Sequence, residues 1–422
     1  MNNRETAPIN YGPTQGEGTL SSGLDFYKPT MSQVCFEKHP KTEVAFTFKN
    51  RDKSKLAKYI NVSELQTRLD THKSGWDTDE VDRLGSLTHQ DGKAVFSADY
   101  LEYLADASLP KVNVAVDKDG DIAVNSTGEW PLVTFWETVV MSEVNELYFK
   151  NMIQQEELDI FDLYDEGNRR LDKKIQLLRS RPDIKFADFG TRRRFSYMWQ
   201  NHVIGRLLEE CPENIVGTSN VYLANKFDIA PVGTFAHEMP MVYAGLADKE
   251  GRNPLDGHNE MLRDWVEAYG ENLSVALTDT FGSEYFFTDF TPEQGEHWKS
   301  LRHDSGDPTT FGNMVINFYK QNKINPLEKT IVFSDGLDIE TIVALADTFK
   351  DRIGVVFGWG TTLTNDLGLK TNNVVMKATM ADGFRTVKLS DDADKHTGPA
   401  DKINQYMSNV AQAVGSQAVC YS

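Results

Sequence analysis

Cysteine is scarce in this chain. Its three copies, Cys35, Cys211 and Cys420, are odd in number and far apart. They offer neither a disulfide framework nor a Cys-x-x-Cys metal pair, which points to a reducing compartment, expected to be the cytoplasm. Positive charge is also short. Lys+Arg total 44 against 63 Asp+Glu, a formal net charge of −19. That balance argues against a general nucleic-acid or anionic-membrane binder, so any anionic ligand must be met by cations gathered locally. No apolar run approaches the roughly 18 residues of a membrane span. The first 23 residues, MNNRETAPINYGPTQGEGTLSSG, lack the apolar stretch of a signal peptide and read as a flexible leader. The Asn-x-Ser/Thr triplets at Asn61, Asn125 and Asn272 then carry no glycosylation signal. Several chemical signatures are missing too. There is no P-loop, and Gly358-x-Gly360 lacks the third glycine of a dinucleotide fingerprint. His237-Glu238 is followed by Met241 where a zinc protease needs its second histidine. His258-Asn-Glu260 has no Pro-Cys-x-x-Cys after it, which excludes a zinc deaminase.

What is present suits a globular protein of two or three domains. The chain has 422 residues, 40% of them hydrophobic, with 30 Gly. Residues 24–150 read as a mixed α/β unit. Val44, Phe46 and Phe48 alternate as in a half-buried strand, and Ser97 caps a helix over 97–107. VNVAV and IAVN flank a DKDGD turn, and 133–149 form a mostly buried helix. Asp117, Asp119 and Asp121 have the wrong glycine position for a calcium loop. From 151 to 422 the texture changes. After an amphipathic helix carrying Ile160, Tyr164, Leu171 and Leu178, eight short apolar runs recur with helical segments between them. They lie at 185–190, 214–218, 231–235, 274–279, 299–304, 330–336, 353–358 and 374–378. Alternating strands and helices in that number predict an irregular (β/α)8-type barrel following the N-terminal domain, with the C-terminal stretch free to pack on that domain. An open doubly wound sheet is the alternative.

The runs end in polar or glycine residues: Arg192, Ser219, His237, Asp279, Arg302 with Asp304, Asp335, Gly358 with Gly360, and Lys377. Barrel enzymes carry their chemistry at the C-terminal ends of the strands, often with a phosphate site late in the barrel. FGTRRRFS places three arginines at the start of a helix, where positive charge opposes the macrodipole unless an anion binds. Asp279 and Asp304 are candidates for sugar hydroxyls or magnesium. The small residues of SDG and FGWGTT can let backbone N–H groups cradle a phosphate. These residues by themselves point to an enzyme acting on a phosphorylated sugar.

Eight segments carry the reading further: DFYKPTM (25–31), FADFGTRRRFS (186–196), GTSN (217–220), VGTFAHE (232–238), LTDTFG (277–282), LRHDSGDP (301–308), FSDGLD (333–338) and FGWGTTLTND (357–366). In this order they closely resemble nicotinate phosphoribosyltransferases. Trp359 within the phosphate segment and the AVCYS tail depart from the pattern. The resemblance implies joining nicotinate to 5-phosphoribosyl 1-diphosphate, with release of diphosphate, in NAD salvage. It implies coupled ATP hydrolysis through a phosphohistidine at His237, a need for Mg2+, and a homodimer with shared active sites. Asp279 and Asp304 would hold the ribose, while Arg192, Arg302, Arg51 and Lys388 would meet anionic groups. Asp335, Gly336, Gly358, Gly360 and Thr361 would cradle the 5-phosphate. Nicotinate would lie between Phe189 and a Tyr27 from the neighbouring subunit, near Thr218 and Ser219. An uncharged Ser219 favours the acid over the amide. A nicotinamide phosphoribosyltransferase and a non-catalytic nicotinate-binding homologue are the alternatives.

Overall fold

Alternation in the first third of the chain becomes an antiparallel sheet. The computed structural model describes residues 16–52, 55–89 and 91–420, with side chains described as far as residue 415. Residues 1–15 of the expected leader and the end of the AVCYS tail lie outside them. Leu20 to Gly23 are buried rather than loose, and Ser21 donates to Glu80 Oε1 from both its backbone N (2.8 Å) and its hydroxyl (2.5 Å).

β1 (Glu43–Asn50) buries Val44, Phe46 and Phe48 on one face. β2 (Val112–Val116) and β3 (Ile122–Glu129) form the expected hairpin. Within its turn, Asp117 Oδ1 accepts from the backbone N of Asp119 and Asp121, both at 2.9 Å, so that carboxylate is already occupied. Ser97 caps the helix Ala98–Asp106, accepting from Tyr100 N at 3.3 Å. The long helix Trp136–Gln155 is buried on most faces.

Six short parallel strands make the second sheet: β4 (Phe186–Asp188), β5 (Ile215–Thr218), β6 (Val275–Leu277), β7 (Ser300–His303), β8 (Thr330–Phe333) and β9 (Gly354–Trp359). Their order is β5-β4-β9-β8-β7-β6. The ladder does not close. Between its two ends lies the expected third strand, 231–235, which pairs only through a bridge from Pro231 to Thr218. Pro231 has no N–H to donate. Further along, Thr234 Oγ1 donates to Val275 O at 2.8 Å, so the segment reaches both edges without a continuous ladder. Gly233 has φ +152°, and a Cβ there would meet Tyr27 N at 2.9 Å; only glycine suits this crossing.

The eighth expected barrel strand is a correction. β10 (Val374–Ala381) belongs to the antiparallel sheet, between β1 and β11 (Phe384–Arg385), giving the order β11-β10-β1-β3-β2. The turn after it, Asp382-Gly383, takes φ of 47° and 85°. Two positive φ values are the signature of a tight hairpin, which returns the chain antiparallel instead of into a crossover helix. One apolar core runs through both sheets, from Phe26, Trp130 and Trp136 to Trp199, Trp265 and Trp359. The C-terminal helix instead meets a smaller cluster, with Tyr406 against Phe281, Tyr285 and Leu389. No helix among the described residues is long and apolar enough to cross a membrane.

Candidate active site

The parallel strands deliver their final residues to one edge, and the expected residues meet there. His237 precedes the helix Glu238–Lys249. Its Nε2 lies 2.9 Å from Asp304 Oδ2 and 3.6 Å from Asp279 Oδ1, and its Nδ1 lies 3.0 Å from Thr280 Oγ1. Burial, reinforced by Lys388, outweighs the two carboxylates and lowers the imidazole pKa to about 4. The ring is therefore neutral at pH 7, with a lone pair on one nitrogen. Asp304 Oδ1 accepts from Arg302 Nη2 at 3.0 Å and from Ser334 Oγ at 2.9 Å. Burial opposes its ionisation, but Arg302 prevails and holds the carboxyl well below its usual range. Asp279 Oδ2 accepts from Ser305 at 2.6 Å and Ser390 at 3.2 Å, with Lys388 Nζ at 3.4 Å. Its Oδ1 is buried and has no hydrogen-bond partner among the described residues.

Glu238, next in sequence to His237, points away from this group. It accepts from Lys28 Nζ at 2.5 Å and Trp130 Nε1 at 2.6 Å. Lys28 also pairs with Glu137 at 2.6 Å, and Glu137 reaches Lys377 Nζ at 3.6 Å. A sealed ion network thus anchors the helix that follows His237. Burial lowers the Lys377 pKa to about 8 although Glu137 opposes the change.

The three consecutive arginines divide. Arg194 faces inward to Glu146 and Ser22 O. The Arg193 side chain donates to Val374 O at 3.5 Å. Arg192 Nε lies 3.0 Å from Asp25 Oδ2, and its guanidinium sits 5.5 Å from the centroid of the Tyr27 ring. Arg51 is half-buried, and neither it nor Arg193 has a carboxylate partner among the described residues. Burial, Arg192 and Arg51 together push the Arg193 pKa down. Such crowding of unneutralised guanidinium groups favours an anion. Arg302 sits 5.8 Å from the Phe189 ring centroid. Tyr27 and Phe189 therefore each face an arginine of the same chain. Within one chain Tyr27 lies at Arg192, and its buried hydroxyl has no hydrogen-bond partner among the described residues.

Ser219 donates to Asp25 Oδ1 at 2.6 Å. Thr218 is turned away from this group, its hydroxyl donating to Asp188 Oδ2 at 2.7 Å. Burial raises the Asp188 pKa to about 6 against the hydrogen bonds it receives from Thr218 and Gln200.

At the other end of the edge, Gly358 packs so closely under Phe189 that a Cβ would stand 2.6 Å from the ring. Gly360 lies against Phe189 O, Thr361 opens the one-turn helix Thr361–Thr364, and Gly336 has open space at its Cβ position. Trp359 leaves this loop clear. It is fully buried, with Nε1 donating to Thr362 Oγ1 at 2.6 Å. The Asp335 carboxylate is taken by Lys395 Nζ at 2.7 Å. Asp25, Thr280, Ser334, Arg193 and Lys395 all went unassigned in the sequence reading. Asp25, Arg193, Thr280 and Ser334 lie inside recognised segments; Lys395 had no local signal.

Comparison with known proteins concerns the chain as a whole. The model of the "Nicotinate phosphoribosyltransferase (NAPRTase) family" matches residues 184–410, and that of the family's N-terminal domain matches 24–145. A crystal structure of nicotinate phosphoribosyltransferase from Porphyromonas gingivalis is 26% identical, with a TM-score of 0.83, over 93% of this chain and 99% of that one. One from Vibrio cholerae is 27% identical, with a TM-score of 0.78, over 94% and 93%.

Proposed function

Because the chain belongs to the nicotinate phosphoribosyltransferase family, we propose that it joins nicotinate to 5-phosphoribosyl 1-diphosphate, in the cytoplasm, as a step of NAD salvage. The observation that carries this reading is the convergence of His237, Asp279, Asp304 and Arg302 beside two aromatic rings, each facing an arginine. In the reaction the pyridine nitrogen forms a bond to the ribose anomeric carbon. The carbon–oxygen bond to diphosphate breaks, and its electron pair leaves with diphosphate. No protein nucleophile is needed for this step. The Asp279 and Asp304 carboxylates favour the positive charge that develops on the sugar, while Arg302 and Lys388 favour the departing anion. The rings of Phe189 and Tyr27 hold the pyridine, with Arg192 beside its carboxylate.

The donor set fits a hard divalent cation. One ligand atom each from His237, Asp279 and Asp304 lies within 4.8 Å of the others, and Asp279 Oδ1 is an unused buried acceptor. Mg2+ takes few protein carboxylates and completes its shell with substrate phosphates and water. Asp279 would hold it, and it would supply charge neutralisation to diphosphate.

ATP enters as a co-substrate through His237. Its neutral ring nitrogen takes the γ-phosphoryl group, a P–N bond forming as the P–O bond to ADP breaks with its electrons leaving on ADP. Incubation with γ-labelled ATP should give acid-labile label on the wild type and none on His237→Asn, which keeps slow ATP-independent transfer. Equal labelling of the variant overturns the assignment. The nicotinamide alternative gains one point from Asp25, which already occupies Arg192. Diphosphate release measured with nicotinate and with nicotinamide separates the two, and the non-catalytic alternative predicts release with neither.

A further inference from the structure

The segment 388–397 lies across the ends of three strands of the parallel sheet. Leu389 N donates to Thr280 O beyond β6 at 2.8 Å. Asp391 accepts from Ser283 N at 2.7 Å and Ser283 Oγ at 2.6 Å, and its own N donates to Ser305 Oγ at 3.0 Å beyond β7. Asp392 Oδ2 accepts from Gly306 N at 3.3 Å. These bonds fix a strap whose far end carries Lys395. The ammonium spans two strand ends, reaching Asp335 Oδ2 at 2.7 Å beyond β8 and Asp304 O at 3.4 Å beyond β7, with Asp392 Oδ2 at 3.0 Å behind it.

We propose that Lys395 is a substrate-binding cation of this site, exchanging Asp335 for the phosphate oxygens of the phosphoribosyl donor. This rests on the function proposed above. Three observations support the exchange. The Lys395–Asp335 pair is partly solvated, at 27% and 35% side-chain exposure, whereas Lys28 is sealed at 0% between two glutamates. An exposed pair of this kind is weak and readily given up. Next, Asp335 adjoins Gly336, whose backbone opens to free space where a phosphate is expected, so the Lys395 ammonium already stands beside that space. Finally, Lys395 stays charged: burial favours the neutral amine, but Asp335 and Asp392 outweigh it and raise the pKa. The cation thus neutralises Asp335 when the site is free and meets the phosphate when it fills. Substrate binding would then draw the strap onto the mouth.

Two phosphates of the donor are within the chemistry described, the 5-phosphate and the diphosphate. Calorimetric titration with ribose 5-phosphate and with inorganic diphosphate distinguishes them, and neither arm needs nicotinate. Lys395→Gln should weaken one of the two roughly tenfold to a hundredfold, the size of one charged hydrogen bond. Lys395→Arg should restore most of the loss. The KM for nicotinate should stay unchanged. Asp335→Asn separates ligand from latch: releasing the cation should tighten phosphate binding, whereas a lysine that merely holds the strap would make Asp335→Asn weaken it like Lys395→Gln. Wild-type affinity for both phosphates in Lys395→Gln, or parallel weakening in the two variants, overturns the proposal. Failure of the function itself reads differently: the wild type would bind phosphates in these titrations yet form no nicotinate mononucleotide.

Discussion

Ser219 donates to one oxygen of Asp25 while Arg192 lies on the other, so these three side chains act as a unit. Ser219→Asp would set a second buried carboxylate against Asp25 and compete for Arg192. Like charges without a new partner are costly in such a place. The variant should raise the KM for nicotinate roughly ten- to a hundredfold, or about 1.4–2.8 kcal/mol, and should affect nicotinamide less. Steady-state kinetics with both substrates check this; equal changes would mean that charge at this position does not select the substrate. The sequence placed Ser219 and Arg192 together through recognised segments, but gave no means of pairing Asp25 with either. That contact joins positions 194 residues apart, and no periodicity reports a separation of that kind. Lys395 was hidden for the same reason, since an isolated lysine in a polar loop carries no pattern.

Local periodicity served the elements better, and its failures have specific causes. The helix capped by Ser97 and the hairpin around Asp117 form where their caps and turn residues require. Segment 231–235 has an apolar run but also Pro231 and Gly233, which remove a donor and bend the backbone. Strand β10 has the same apolar texture as the strands of the parallel sheet, and only Asp382-Gly383 distinguishes its antiparallel course. A further consequence belongs to the packing of helix Tyr197–Glu210 on helix Ile160–Ser180. His202, on the first, shares a 2.8 Å hydrogen bond with Asn168 on the second. Burial, helped by Arg206, lowers its pKa to about 4. The unfolded chain takes up this proton near pH 6.5, before the folded one does. Stability from this residue is therefore complete above about pH 6.5 and declines as pH falls toward 4, by on the order of 1–3 kcal/mol. Urea denaturation across that window should show a shallower pH dependence in His202→Gln than in the wild type. Identical slopes would remove His202 from the acid response.

For the molecule as a whole, the family resemblance implies a homodimer whose sites are shared, with Tyr27 crossing from the neighbouring subunit. Mixing Tyr27→Ala with Asp279→Asn should therefore restore activity above the average of the two alone once subunit exchange is demonstrated, because hybrid dimers contain one intact composite site. Activity no higher than that average would count against a shared site. The two sheets share one core, so a cut between the early and late halves of the chain would expose apolar surface on both sides. The pairing of β1 with β10 also sets an order in time. Thr47 lies opposite Lys377, so β1 leaves the ribosome long before its neighbour exists. At about 5–20 residues per second, that wait lasts roughly 15 to 65 s. Throughout it, one edge of the early hairpin sheet stands open to pairing with other nascent chains. Successful maturation of this protein thus depends on shielding a half-built sheet until the message is nearly finished, and premature termination before β10 would yield a sticky fragment rather than a smaller working enzyme.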